Sequence, residues 1–485
     1  MVTRDSVLMQ MNGQVEHHLL RHGVSNTQLD ARITEWVSPE NLNFYSASLI
    51  PVSLLTLGLA WMSRPKSEEN LCPRFKAFMY EYLSVWYLAV AADWLQGPYV
   101  YALYEAYGYS GQEIAQLFVA GFGSSMIFGT FVGSLADSWG RKRSCLLYCV
   151  LYIISCLTKH YNNYLVLMFG RVTGGIATSI LFSGFETWMV SECTQRHNFP
   201  GSHLRYLFAM KFFGMYAIAI AAGIFAQFFV DAFPMQEVSA VKDLHVGGYT
   251  TPFDMSLICL VLVIFPIAKN WNENYGSTSG HESGESLSVL SSITEAFRTV
   301  CGNFHITLMG IVVCAFEGSM FCFVFNWTPA LDSKELPLPH GLVFSLFMMA
   351  CMCGSSTFAL VGSSNPPSTV MVPVLITATL SLGAVALAMA TSKEPLRVTF
   401  LCFMLFEFCV GCYWPVVGAL KSEVVPERIR ATVYNLYRVP LNFVVCWLLL
   451  GEFSLFKSFT LCALLLSTAV LSILPISKKE AAKAL

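Results

Sequence analysis

The chain has 485 residues, 55% of them hydrophobic and only 12% charged, with a mean hydropathy of +0.56. A soluble globular protein carries about 25% charged residues, so these values exclude one and point to an all-α polytopic membrane protein, whose backbone polar groups are satisfied within helices. The net charge of −2 offers nothing to a nucleic acid, and 16 scattered cysteines without a C-x-x-C repeat or Cys/His spacing read as neither metal site nor disulfide framework, so no cofactor is expected.

Residues 1–42 are polar, lack a helical stripe and read as an extracellular tail. Residues 43–62 form an apolar run about one membrane thick, expected to be an extra transmembrane helix because it begins too far along the chain for a cleaved signal. A basic loop with Arg64, Lys66, Arg74 and Lys76 follows. Six spans are expected at 80–105, 113–136, 144–160, 164–190, 206–230 and 253–269, giving an N-terminal six-helix bundle over 80–269. Residues 270–302 read as a cytoplasmic linker, with a flexible Gly/Ser/Glu-rich centre at 276–288. Six more spans, at 303–327, 340–362, 367–390, 398–420, 431–451 and 455–475, make a C-terminal bundle over 303–475, and a Lys-rich cytoplasmic tail, 476–485, ends the chain.

Orientation follows from Gly133-Ser-Leu-Ala-Asp-Ser-Trp-Gly-Arg-Lys-Arg143, a short connection with three consecutive cations, which belongs on the cytoplasmic side. With it inside, 17 of the 29 Lys and Arg fall in cytoplasmic segments and nine outside, counting Lys159 and Lys457 as outside. Three remain within spans: Arg171, Lys211 and Arg438.

A charge in hydrocarbon costs at least about 2.5–3.5 kcal/mol, so these cations are expected to face water or a partner. Arg171 starts a face that continues through Gly174, Gly175, Thr178 and Phe182, and its planar fork suits an oxyanion; the competing reading is an ion pair with Asp93 or Glu186. Arg438 shares a face with Asn435 and Asn442, ahead of a Val439-Pro440 step expected to break or kink its helix; the alternative is an Arg that snorkels to the interface. Lys211 poses the same choice. Gln96 shares a face with Asp93. Asp93, Glu317 and Glu407 are candidates for a coupling proton or for counter-ions, and Glu186 for a support to Arg171. In the connection itself, Asp137 is expected to cap or attract a helix N-terminus across the gap between halves, and Arg141 and Lys142 to pair with acids such as Glu192 or Glu423, forming a cytoplasmic gate with Gly133 and Gly140. Cys351 and Cys353 read as small packing residues, and the sequon at Asn326 lies too near a span end to weigh.

The halves resemble a parallel repeat: Asp93, Tyr99 and Tyr101 match Glu317, Phe323 and Phe325 in spacing, Arg171 matches Glu407, and Lys211 matches Arg438. Gly133, Leu135, Ala136, Asp137, Gly140, Arg141 and Lys142 carry the G-x-L-A-D-x-x-G-R-K loop signature of the major facilitator superfamily. The second-half connection, 362–369, has no charge and does not repeat it. Further motifs, Ala91-Ala92-Asp93-Trp94-Leu95-Gln96-Gly97-Pro98-Tyr99, Gly170-Arg171, Trp327-Thr328-Pro329 and Arg438-Val439-Pro440-Leu441, resemble the molybdate-anion transporter family over residues 43–475. The resemblance implies a major facilitator fold, two six-helix bundles plus one extra N-terminal helix, and uptake of molybdate at the plasma membrane with H+ as a candidate coupling ion. Intramembrane cations suit a tetrahedral dianion independently; sulfate, phosphate or an organic anion stay open, as does a receptor or scaffold that no longer transports. The chain shows no nucleophile–base pair that would suggest an enzyme.

Overall fold

The computed structural model describes residues 44–66, 71–275, 289–333, 338–362, 365–392, 395–425 and 430–484. The tail 1–42 and the Gly/Ser/Glu-rich stretch 276–288 lie outside the described residues. Residues up to Pro51 form one unit, which holds the first turns of a helix, α1, running Phe44–Ser63. The second unit, Val52–Leu485, holds the rest.

Six helical spans follow α1 in the N-terminal half. These are α2 (Pro73–Gln96) with its continuation α3 (Val100–Ala106), α4 (Gly111–Trp139), α5 (Arg141–Thr158), α6 (Tyr164–Ser191), α7 (Gly201–Ala232) and α8 (Thr251–Asn270). Pro98 explains the interruption of the first span: it cannot donate to the turn before it, and Gly97–Tyr99 tightens into a 3-10 turn. A small antiparallel pair, β1 (Gln236–Glu237) with β2 (His245–Val246), folds the connection between α7 and α8. Within the stretch 270–302 read as a linker, after its Gly/Ser/Glu-rich centre, α9 (Val289–Gly302) forms. The C-terminal half comprises α10 (Phe304–Leu331), α11 (His340–Val361), α12 (Pro367–Thr391), α13 (Pro395–Val424), α14 (Arg430–Leu450) and α15 (Leu455–Ala484). Among the described residues nine helices are long and apolar enough to cross a membrane by length and composition alone, and α14 has a shorter apolar part, Leu436–Leu450. The break expected at Val439-Pro440 is absent, because α14 runs unbroken through Pro440. Asn326 is buried within α10, so its sequon is closed to a glycosyltransferase.

Helix starts are set locally. Ser110 and Glu113 form a capping box at α4, and the side chains of Asn163 and Asn303 accept from the first amides of α6 and α10. The two halves then repeat one packing scheme. Counting spans within each half, first packs on fifth and sixth, third on fourth and sixth, and second on fourth, in both. The halves meet through two equivalent crossings: α7 against α11, and α4 against α14. Close approach at the first needs Gly223 and Gly341, where an added Cβ on either would come within 2.5 Å of the other's carbonyl oxygen.

Three hydrogen bonds between halves lie at the end away from the Gly140 connection. Gly341 donates its amide to Gln227 Oε1 (2.8 Å) and to Tyr99 Oη (3.2 Å), and Ser345 donates to the Ile220 carbonyl (2.8 Å). On this same side Phe118 and Tyr101 meet Phe325 edge to face, at 5.4 and 5.5 Å. The halves are thus tied together at what we call the remote end.

Candidate functional site: two unpaired guanidiniums beside one helix

Charged side chains in the spans sort into three groups by what satisfies them. The first is closed ion pairs. Lys211, 2% exposed, donates to Glu186 Oε2 at 2.7 Å and sits 4.3 Å from the Trp86 ring centroid. In the other half Lys421 lies 3.6 Å from Glu317, whose carboxylate also accepts from Tyr413 Oη at 3.1 Å. Glu186 therefore serves Lys211 and not Arg171, and Glu317 is a counter-ion to a lysine that was placed outside the spans. Lys421 was legible only as a residue near a span end; α13 continues past it to Val424.

The second group is acids held by neutral donors. Asp93 accepts from the Tyr152 hydroxyl, α2 to α5. Glu407, 6% exposed, accepts from the Cys351 thiol at 2.9 Å, α13 to α11. Cys351 is thus more than packing. Gln96 is buried and turns its amide to the Ala92 carbonyl (2.8 Å), not toward a cation.

The third group is Arg171 and Arg438, which make no ion pair among the described residues. Neither Asp93 nor Glu186 reaches Arg171. Its Nε donates to the Leu117 carbonyl at 3.1 Å and its guanidinium carbon lies 4.9 Å from the Phe118 ring centroid. The guanidinium crosses α4 at Gly121, where an added Cβ would be 2.6 Å from Nη2. Arg438 reaches α4 from the other half: its Nη1 is 3.5 Å from the site of a Cβ on Gly129, and Ser179 Oγ is 3.4 Å from the same point. Ser179 in turn bonds Ser125 Oγ at 3.0 Å. Ser179 thus places a hydroxyl near the Arg438 fork, with the Ser125 hydroxyl bonded to it. Asn442 donates to the Arg438 carbonyl; for Asn435 only the backbone is described. Gly121 and Gly129 are eight residues apart on one helix, about 12 Å along its axis at ~1.5 Å per residue. The face of α6 expected from sequence makes this possible: a Cβ on Gly175 would sit 2.3 Å from the Gly121 carbonyl, so its absence lets α4 and α6 touch.

The loop signature folds differently from the expectation. Gly133, Leu135, Ala136 and Asp137 belong to α4, and Gly140 alone separates α4 from α5. Asp137 pairs along its own strip of chain with Arg141 (2.7 Å) rather than across the gap. The helix cap comes from Glu273, whose carboxylate accepts from the amides of Lys142 (2.8 Å) and Arg143 (3.3 Å) at the start of α5. Lys142 Nζ donates to the carbonyls of Ala268 and Trp271 at 2.9 and 2.8 Å. Glu192 bonds Arg196 and Asn274. All these contacts stay within the N-terminal half. Glu273 was missed because a lone acid in a polar stretch carries no sequence signal for capping a helix 130 residues away.

The chain matches a family model described as sugar transporters with 12 transmembrane segments over residues 44–406. A molybdate-anion transporter of Xenopus tropicalis is 34% identical over 430 residues, covering 85% of this chain and 88% of that one. Another, of Takifugu rubripes, is 31% identical over 428 residues, covering 83% and 86%. Among solved structures, a mutant of the nucleoside transporter NupG matches with a TM-score of 0.62, covering 82% of this chain and 98% of its own. The xylose transporter XylE from E. coli in an inward-open conformation matches at 0.59, covering 82% and 95%. Both are 12% identical to this chain, a likeness of fold alone.

Proposed function

Because this chain belongs to the molybdate-anion transporter family of the major facilitator superfamily, we propose that it carries a tetrahedral oxyanion, molybdate, across the plasma membrane by alternating access. The observation that carries the reading is the surplus of positive charge beside α4. Lys211 and Lys421 have carboxylate partners, whereas Arg171 and Arg438 have none among the described residues. Arg171 is half-buried, where a guanidinium without a partner is costly; Arg438 is exposed, with its fork open to an anion. An oxyanion suits both, since the fork donates two parallel N–H bonds to two oxygens. A neutral sugar would leave both guanidiniums uncompensated.

Arg438 with Ser125 and Ser179 forms one station and Arg171 another. The spacing of about 12 Å exceeds the reach of one tetrahedral ion, so an anion passes from one station to the next along α4. With the Gly140 connection taken as cytoplasmic, the remote-end contacts make this an inward-facing state, and rocking of the halves about α7/α11 and α4/α14 opens the opposite side. Asp93 and Glu407, held by neutral donors, are the acids free to take a coupling proton; Glu317, engaged by Lys421, is not.

Radioactive molybdate uptake tests this, in cells expressing the wild type, Arg171→Gln and Arg438→Gln at matched surface levels, at two external pH values and with excess sulfate. Loss of more than about 90% of uptake in either variant is expected, from the roughly 1.5–3 kcal/mol of a charge-assisted bond. Uptake at wild-type rates in both variants would refute the site, and no uptake by well-expressed wild type would refute molybdate as the substrate.

A further inference from the structure

Lys159 is a buried cation without a partner among the described residues, and neither the loop signature nor the span reading assigns it a role. It follows the last residue of α5, is 1% exposed, and its ammonium has no hydrogen-bond partner. Its backbone is pinned by the Tyr107 hydroxyl, which donates to the Lys159 carbonyl at 2.7 Å. Its Nζ lies 3.0 Å from the site of a Cβ on Gly170, the residue before Arg171, and 5.7 Å from the Tyr104 ring centroid. The Tyr104 hydroxyl is also wholly buried and unpartnered.

Burying an ammonium without an acceptor, against the residue next to Arg171 and beside a ring whose hydroxyl is also unpartnered, is unfavourable as it stands. It becomes favourable once a doubly charged acceptor sits among them. We infer that Lys159, Tyr104 and Arg171 form an anion-holding station at the remote end of the N-terminal half, for a small oxyanion dianion. The inference rests on the transport reading above and adds two residues to it. Lys159 supplies a point charge, Tyr104 a hydroxyl donor and Arg171 the fork. The Phe118–Phe325 and Tyr101–Phe325 contacts lie between this cluster and the C-terminal half. Separation of the halves at the remote end therefore uncovers the station, and closure seals it.

The test uses the full chain in lipid nanodiscs on an Arg438→Gln background, so that the other station is silent. Molybdate, sulfate and chloride are compared at matched ionic strength, with thermal unfolding and equilibrium binding of radioactive molybdate as readouts. Lys159→Gln is expected to unfold no lower than its parent without anion, to lose the molybdate-induced rise in the midpoint, and to bind molybdate at least tenfold more weakly. Lys159→Arg should stay within about threefold of its parent, and Tyr104→Phe should weaken binding severalfold. Unchanged molybdate binding in Lys159→Gln, or a lowered midpoint with the anion-induced rise intact, would overturn the inference while leaving the transport reading standing. A chloride effect equal to that of molybdate would overturn the oxyanion class. Absence of binding by the protein with Arg438 restored would bring down both readings. If Lys159→Gln does not survive purification, Tyr104→Phe decides: full-strength binding in that variant rejects the station.

Discussion

Single residues divide into those whose charge is answered inside the protein and those whose charge is not. Lys211 and Glu186 are answered, and they give a test of that division. Glu186→Gln leaves the buried Lys211 ammonium without its carboxylate. It is expected to cost about 2–3 kcal/mol, below the ~3–5 kcal/mol of a fully buried pair, because the carboxylate is 38% exposed. Pairing Glu186→Gln with Lys211→Met removes the charge as well and should recover most of the loss, read as unfolding midpoints in detergent. If the double variant is as unstable as the sum of the singles, the two residues do not act as a pair. Sequence reading found Lys211, Glu186, Arg171 and Asp93 as charges in spans. It could not match them, because partnership depends on which helices touch: Lys211 and Glu186 are 25 residues apart, Asp93 and Tyr152 are 59 apart.

Individual elements are held at their ends by contacts that carry their own predictions. The one-residue connection at Gly140 has φ +119°, a conformation that favours glycine, and an added Cβ would meet the Glu273 carboxyl carbon at 2.6 Å. Gly140→Ala should destabilise by about 1–3 kcal/mol and raise hydrogen exchange at the amides of Lys142 and Arg143, since it displaces their cap. Unaltered exchange there would show that Glu273 does not hold the start of α5. At the opposite end, the connection after α5 is clasped by His160, which bonds the His245 carbonyl at 3.0 Å through Nδ1 and Asp254 at 3.1 Å through Nε2. Two acceptors on the two ring nitrogens demand the doubly protonated ring. Burial opposes that charge, but the Asp254 carboxylate and the His245 carbonyl outweigh it and raise the His160 pKa above its ordinary value. The contribution is therefore complete below the ordinary histidine range and is lost as pH rises through the raised value. Protection of amides 236–246, as exchange relative to the unfolded-chain rate at each pH, should fall between pH 5.5 and pH 8 in the wild type and show no such step in His160→Gln.

The whole molecule is two copies of one helical packing scheme joined at their remote ends by a glycine-on-glycine crossing. Gly341→Val would place side-chain carbon against the Gly223 carbonyl, where even a Cβ stands at 2.3 Å. The halves should then fail to close at that end: uptake should fall at least tenfold at normal surface levels, with faster exchange over 340–345, while the unfolding midpoint of each bundle changes little. Wild-type uptake in this variant would mean that the crossing does not have to close during transport.

Twelve core spans and their division into halves were legible because a bilayer demands about 20 apolar residues per crossing, a requirement written locally in the chain. The same holds for the glycine face after Arg171. Depth was less legible, since a helix can continue past its apolar stretch; Lys421, just beyond its expected span of 398–420, lies within α13. Pro440 also misled, because a proline can be carried within a continuous helix when its neighbours take up the freed backbone groups. What only the tertiary structure decided is which charges are neutralised. Sequence placed Arg171 and Arg438 in different halves. The packing of α6 and α14 on α4 brought both guanidiniums to one helix without a carboxylate among the described residues, and that follows from three-dimensional contact between segments 50 residues apart for Arg171 with Gly121 and 309 apart for Arg438 with Gly129.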